Sequence, residues 1–345
     1  MARLELNAIT QWITAAALRR PAALDLELGA RAGVSRRTAR GMLARLVALN
    51  WLVRSGSPRR PQWRPGAMRQ VVQRYAVAGL EEDLAWSLDF TPCFTLPLDL
   101  RRMVQHSFCE LVNNAIDHSG GTHVTVSLRQ TATQVQLLVS DNGLGLFQQI
   151  AQTFAIASPT LAMLELSKGK LTSQPQRHTG QGLFFASKLA DVFDLRANGV
   201  AFQQRDWDAQ GWHPQRGLPN PGTSAYAAFA LDTPRTLDDV RRAWSLDGQG
   251  VEFERTRVPL RLVTSDSDGL ESRAQARRVR ARLGAFRSAE VDFAGVPVIG
   301  HAFADELFRV LAPSQPGLAL VPVNMTPAVA AMVESITRSA APGSR

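Results

Sequence analysis

Three polar residues within 110–119 have types and spacing suited to phosphate chemistry. At 100° per residue, Glu110, Asn114 and Asp117 fall in one narrow stripe of a helix, and Phe108, Leu111, Val112, Ala115 and Ile116 occupy the opposite side. A carboxylate one turn from a carboxamide supplies a proton acceptor and an oxygen ligand of the kind Mg²⁺ takes alongside phosphates and waters. An ordinary solvated helix face has the same pattern, so the stripe alone leaves both readings open.

The elements that follow narrow the choice. Alternating runs at 122–128 and 133–139 predict strands, and the second ends on Asp141-Asn142-Gly143-Leu144-Gly145. Glycines there permit tight turns and close backbone approach to a ligand. A carboxylate at a strand end can accept a hydrogen bond from an amino group such as that of adenine. Next, His178-Thr179-Gly180-Gln181-Gly182-Leu183 opens an apolar run, 183–193, that fits a helix. A glycine turn feeding a helix N-terminus favours phosphate through unpaired N–H groups and the helix dipole. Pro221-Gly222-Thr223-Ser224 then starts an apolar strand, 225–231.

In this order the motifs resemble the ATP-binding domain of the GHKL superfamily, which includes gyrase B, Hsp90, MutL, histidine kinases and anti-sigma serine kinases. The likeness covers roughly 97–232: an N-box, Glu110-x-x-x-Asn114-Ala115-x-Asp117, a G1 box, Asp141-x-Gly143-x-Gly145, a G2 box, Gly180-x-Gly182-Leu183, and a final Gly222-Thr223. The resemblance implies ATP and Mg²⁺ as ligands. It makes Glu110 the general base, Asn114 the Mg²⁺ ligand, Asp141 the adenine reader and Gly180 with Gly182 the phosphate loop, with Asp117, Gly143, Gly145 and Leu183 beside the nucleotide. Thr223 would support the Asp141 end of the site or the phosphates. Residues 144–179 correspond to the ATP lid, with a mobile polar tip around Ser167-Lys168-Gly169-Lys170 and Pro175.

Charge is unevenly distributed. Residues 1–65 hold twelve arginines against three acidic residues, a net +9, leaving 27 basic and 27 acidic residues in the rest of the chain. A basic segment beside a neutral body points to a local polyanion partner. Three helices (4–18, 24–32, 36–49) and a hairpin with Arg59-Arg60 at its tip are expected there, Ser35 capping the third helix. The pattern Ala30-x-Ala32-Gly33-Val34-Ser35-x-x-Thr38-Ala39, with Leu43 and Leu46, resembles a winged helix-turn-helix. That resemblance implies duplex DNA as partner, Arg36, Arg37 and Arg40 at the major groove and Arg59 and Arg60 at phosphate or minor groove. A helical protein-interaction or dimerisation module with an arginine-rich face is the alternative.

Beyond the boundary at Pro65-Gly66, residues 66–96 are expected to be a helical connector, with a helix at 68–78. After a loop at 207–221, strands within 251–263, an arginine-rich helix at 272–286 and alternating segments at 289–293, 296–299, 302–311, 318–323 and 327–339 predict a small α/β unit. Val291-Asp292-Phe293-Ala294-Gly295-Val296 with Phe303-Ala304-Asp305-Glu306-Leu307 resembles the STAS-like domains fused behind GHKL modules. Relatives in anti-sigma antagonists carry a phosphorylatable serine where this chain has Gly300-His301-Ala302; Ser288 and Ser314 lie well away. Phe303 and Leu307 are expected in the core, with Asp305 and Glu306 outside or capping.

The expected fold class is therefore a multidomain α/β and α+β chain: winged helix (1–65), helical connector (66–96), a Bergerat-type α/β sandwich ATPase domain (97–235) and a STAS-like domain (250–340). Two cysteines, Cys93 and Cys109, are expected reduced and buried, and no apolar run approaches a membrane span, which points to the cytoplasm. Three functions compete: an ATP-binding, ATP-hydrolysing regulator whose nucleotide state controls DNA binding or assembly; a serine/threonine kinase acting on a separate partner; and a non-catalytic ATP-binding interaction module. A homodimer and a protein partner for the STAS-like domain are further expectations. A strict histidine kinase is disfavoured, since His106 lies inside the N-box helix and no dimerisation helix precedes it.

Overall fold

A computed structural model describes residues 6–156, 158–172, 179–208, 211–217, 221–250, 252–264, 269–311 and 315–340. Two compact units are present. The first runs to Gly143 and adds Gly222–Pro234; the second is Leu144–Pro221 with everything from Arg235.

The first unit starts with helices α1 (Leu6–Arg19), α2 (Leu24–Ala32) and α3 (Arg36–Ala48), then a hairpin of β1 (Leu52–Ser57) and β2 (Arg60–Pro65). Ile9, Ile13, Leu24, Leu28, Ala39, Leu43 and Leu46 are fully buried between the helices, and Trp51 and Trp63 close the core from the hairpin. Gly33 ends α2 in the left-handed region at φ +61°, which glycine adopts without strain. Ser35 caps α3, its Oγ accepting from Thr38 N–H at 3.1 Å.

Within the helix expected at 68–78, residues 69–76 are strand instead. β3 (Arg69–Ala76) pairs antiparallel with β4 (His123–Gln130), from Arg69 opposite Gln130 to Ala76 opposite His123, so much of the expected helical connector is part of a sheet. Its Val71, Val72 and Tyr75 suit a pleated surface, but the partner strand lies some fifty residues away in sequence and local periodicity does not reveal it. The sheet continues through β5 (Gln134–Asp141) to β9 (Thr223–Ala230), all antiparallel. Helix α1 packs on β3, where Gln70 N–H donates to Thr14 Oγ1 at 3.2 Å.

The rest of the connector is helical: α4 (Glu82–Ala85) runs into a π-turn, Trp86–Phe90. Trp86 and Phe90 each place a ring 5.1 Å from that of Phe108 on α5 (Leu98–His118), and the Tyr75 hydroxyl donates to Asp89 at 2.7 Å. These contacts give 81–96 its role, fastening β3 and the outer side of α5 together.

The second unit contains α6 (Leu146–Phe154), α7 (Pro159–Lys168) and α8 (Gly182–Leu189), then β6 (Val192–Ala197), β7 (Val200–Arg205) and β8 (His213–Arg216), paired antiparallel. The helix expected over 183–193 ends at Leu189, and β6 with β7 falls where no strand was expected. Asn198 and Gly199, at φ +52° and +75°, make the tight turn between them. The anticipated polar lid tip is different in kind: Ser167 and Lys168 are buried, and Pro175 lies outside the described residues.

After α9 (Leu237–Ala243) comes a parallel sheet of β10 (Arg255–Pro259), β11 (Ser288–Asp292) and β12 (Ala319–Val323), connected by α10 (Arg273–Arg280) and by α11 (His301–Ala304) with a π-turn, Asp305–Val310, and closed by α12 (Pro327–Ala340). The strand expected at 296–299 is absent: Ile299 makes a single bridge to Leu270. Phe303 and Leu307 are fully buried as expected. Asp305 and Glu306, expected outside or capping, are buried too, Arg309 pairing with the first and Arg277 with the second. The arginine-rich helix is thus partly neutralised internally, Arg282 likewise pairing with Glu165. Cys93 and Cys109 are free thiols; Cys109 is only half-buried. Among the described residues no helix is long and apolar enough to cross a membrane.

The Asp25 ion pair is the most readily tested of these packing features. Its carboxylate is fully buried, with Arg36 Nε at 2.7 Å and Arg40 Nε at 2.8 Å. Burial raises its pKa, but the hydrogen bonds and charges of the two arginines outweigh burial and hold the carboxyl below its ordinary value. A lowered native pKa stabilises the fold fully above the unfolded value, about 3.9, and that contribution is lost as pH falls through the native value. Asp25→Ala should lower the unfolding free energy by about 1–3 kcal/mol near pH 7. The difference from wild type should shrink on acidification below about pH 4 in urea titrations, and a pH-independent difference would remove the ion pair as its cause.

Candidate functional site

In the first unit, α5 carries Glu110, Asn114 and Asp117 at helical spacing, while Leu111, Val112 and Ala115 are buried on its other side. Glu110 is 37% exposed, with His106 Nδ1 4.0 Å from its Oε1. The neighbouring Asn113 faces the other way and donates to Glu82 at 3.2 Å. Burial, with the carboxylates of Glu82, Glu110 and Asp83 next, pushes the Cys109 thiol up to about 12, which makes it an inert packing residue.

Asp141 ends β5 and is the most constrained carboxylate of the site. Its Oδ1 accepts from Gly143 N–H at 2.9 Å and Thr223 N–H at 3.2 Å. Burial raises its pKa, opposed by these backbone bonds. Among the described residues no other residue donates to Oδ2, so one oxygen is fixed and the other is available to a donor. Thr223 reaches Asp141 through its backbone, and its neighbour Ser224 pairs with Ser140 at 2.7 Å. Two glycines are required by space: a Cβ on Gly222 would overlap the Asp141 carbonyl, and one on Gly143 would overlap that of Ser119.

Ser119, Asn142 and Ser140 belong to the site although the motifs do not single them out. Ser119 Oγ donates to Ala115 O at 2.6 Å and accepts from Gly121 N–H at 3.0 Å, ending α5 beside Gly143. Asn142 Oδ1 accepts from both Thr122 and His123 N–H at 2.9 Å. Ser and Asn next to glycines are the residues that bond their own loops, which is the signal that marks them.

In the second unit, Gly145 (φ +86°) starts α6 and is clamped by Asn198, whose Nδ2 donates to Leu144 O at 2.9 Å and whose Oδ1 accepts from Gln148 N–H at 3.1 Å. Gly180 (φ +67°) leaves only 2.7 Å between a notional Cβ and the Leu171 backbone. Gly182 opens α8, Leu183 is half-buried behind it, and Phe185 N–H makes an early helical bond to Gln181 O at 2.9 Å. The N–H groups of that first turn precede the helix's own hydrogen bonding, which suits an anion.

On the basic segment, Arg37 on α3 and Arg59 and Arg60 at the hairpin turn are exposed. Arg36 and Arg40, expected to face a polyanion, spend their Nε donors on Asp25. Arg45, Arg54 and Arg64 are exposed as well.

Residues 99–205 match the family of histidine kinase-, DNA gyrase B- and HSP90-like ATPases. The chain therefore carries a GHKL-type ATPase domain, which supports an ATP-binding regulatory protein. Residues 275–330 match a STAS-like domain of unknown function. No curated protein matches the chain.

Gly222→Ala should destabilise the protein by about 1–3 kcal/mol, since the new methyl meets the Asp141 backbone and the residue keeps a positive φ. Gly199→Ala has a similar φ, +75°, but nothing within 4 Å, and isolates the conformational part, about 1 kcal/mol. Equal shifts in thermal unfolding would show that close approach to Asp141 does not matter.

Proposed function

We propose that this protein binds and hydrolyses Mg·ATP and uses its nucleotide state to control DNA binding or assembly. The single observation that carries this reading is the Asp141 carboxylate, pinned through one oxygen by two backbone N–H groups and presenting the other. Such an acceptor suits the adenine amino group. On α5, Glu110 would take the proton of the attacking water and Asn114 would offer its side-chain oxygen to Mg²⁺, with Asp117 one turn on supporting the polar face. Gly143 and Gly145 permit close approach at the base, and Gly180 and Gly182 bring N–H groups to the phosphates. Mg²⁺ would supply charge neutralisation at the phosphates when bound.

DNA is favoured as the regulated partner by the +9 charge of residues 1–65 and the exposure of Arg37, Arg59 and Arg60. The direct seating of α1 on β3 supplies a mechanical route from the ATPase sheet to those helices within one compact unit.

Asp141→Asn should weaken Mg·ATP binding by about 1–3 kcal/mol, because an amide N–H₂ replaces an acceptor. Calorimetry on the folded variant decides this, and unchanged affinity overturns the adenine assignment. Glu110→Ala should keep affinity and lower turnover by about 10²–10⁴-fold; a variant hydrolysing at the wild-type rate excludes Glu110 as base.

For DNA, log K should fall linearly with log salt. Arg59→Ala with Arg60→Ala should make that slope shallower by about 0.9 for each phosphate left without its arginine. Arg37→Ala should also relax sequence preference, whereas Arg36→Ala should act mainly on stability through Asp25. Absence of duplex binding at low salt would replace DNA by a protein partner.

A further inference from the structure

Within the second unit the parallel sheet β10–β11–β12 shows where its missing cover comes from. Its connecting helices α10 and α11 pack on each other and on the π-turn 305–310, as same-handed crossovers between adjacent parallel strands require, and the closing helix α12 joins the same layer through α11 and the π-turn. A parallel sheet is stable only with both faces covered. Helix α7 packs on β10, and Val258, Ala289 and Val291 are fully buried.

The contact has a polar lock and an aromatic core. Lys168, the last residue of α7, is 1% exposed; its ammonium donates to Glu165 Oε1 at 2.7 Å, Ala281 O at 2.8 Å and Arg278 O at 3.2 Å. The last two carbonyls lie where α10 ends, so a cation from one module caps the negative end of a helix in the other. Thr256 of β10 donates its hydroxyl to Lys168 O at 2.6 Å. Phe253 places its ring 4.6 Å from Phe184 and 5.2 Å from Phe185, both on α8, and Gly169 fits against it. Burial lowers the Lys168 pKa against the opposing pull of Glu165, a cost that only a well-satisfied site offsets.

We propose that the C-terminal module is part of the nucleotide-binding apparatus. Docked on α7 and α8 through Lys168 and Phe253, it preorders the glycine-led helix α8 that receives the phosphates, and loosening the dock weakens nucleotide binding. Lys168 and Phe253 are positioning residues. The proposal rests on the ATP-binding reading above. Its physical basis is that order already present in the free protein does not have to be created at the expense of binding energy.

The test uses the full chain as wild type, Lys168→Met, Lys168→Arg and Thr256→Val, with Mg·ADP and AMP as probes. Deuterium exchange without nucleotide should quicken at residues 182–189 in Lys168→Met. Its Mg·ADP affinity should fall about tenfold, the scale of one buried charged hydrogen bond. The ratio of Mg·ADP to AMP affinity should fall as well, because the effect acts at the phosphate end. Lys168→Arg, which keeps a cation with several donors, should recover most of both. Should Lys168→Met fail to unfold cooperatively, Thr256→Val carries the test, with a shift in the same direction of about threefold. Unchanged exchange at 182–189, or quicker exchange with unchanged Mg·ADP affinity, overturns the proposal. If wild type binds no Mg·ADP, the ATP reading falls, and exchange alone then decides whether the docked module orders α8.

Discussion

A half-buried carboxylate at a strand end must be solvated in part by the protein itself, and the candidate base-binding end follows from how Asp141 solves that problem. Two backbone N–H groups on one oxygen require chains to approach from both sides, one from Gly143 and the other from Thr223. Those approaches leave no space for a side chain at Gly143 or Gly222. The Gly143 approach in turn requires α5 to stop at Ser119, whose hydroxyl bonds back to Ala115 and forward to Gly121. The polar stripe of α5 is thereby fixed relative to Asp141 by a chain of short-range bonds rather than by the sheet alone.

The same economy governs the two ends of the polypeptide. Each flanking module uses an element of the ATPase region as part of its own packing: α1 lies on β3 in the first unit, and β10 takes α7 in the second. Neither contact is a flexible tether. Energetic coupling needs an element with two discrete arrangements that both sites bias, and packed helices and strand edges shift as bodies rather than deforming continuously. A helix seated on the edge strand moves with that strand, whereas an N-terminal domain on a long linker would not.

What is legible in the sequence is chemistry with short sequence reach. The stripe Glu110, Asn114 and Asp117 and the glycines around Asp141 and at 180–182 are defined by neighbours within a few residues, and α5 carries the stripe at the expected spacing. Strand β3 reads as helix because what makes it a strand is β4, some fifty residues on; alone, 68–78 offers no clean period. The β6–β7 hairpin is hidden although Asn198-Gly199 is a strong turn signal, because the apolar run from Leu183 continues through Ala190 into Phe193. Lys168 reads as a solvated tip since a lysine beside glycine is usually exposed; besides Glu165, its partners come from the end of α10, over a hundred residues later. Glu306 hides its burial in a similar way, its partner Arg277 lying on another helix, whereas Asp305 is paired within its own turn by Arg309.

Arginine count also overstates the charge available to a partner, and the structure shows by how much and where. Asp25 engages Arg36 and Arg40 from beneath, and Glu306 and Glu165 engage Arg277 and Arg282 of the C-terminal module. An arginine whose fork is already paired can still contribute long-range potential, but it cannot also make a bidentate base contact without giving up its buried partner. On α3 that leaves Arg37 and Arg45 exposed with no ion pair among the described residues, and on the hairpin Arg54, Arg59, Arg60 and Arg64. Most of the exposed, unpaired charge of α3 and the hairpin thus sits on the hairpin. Were a polyanion the partner, contacts from that surface would be mainly electrostatic and sequence-independent, and discrimination would have to come from the few groups on the exposed side of α3.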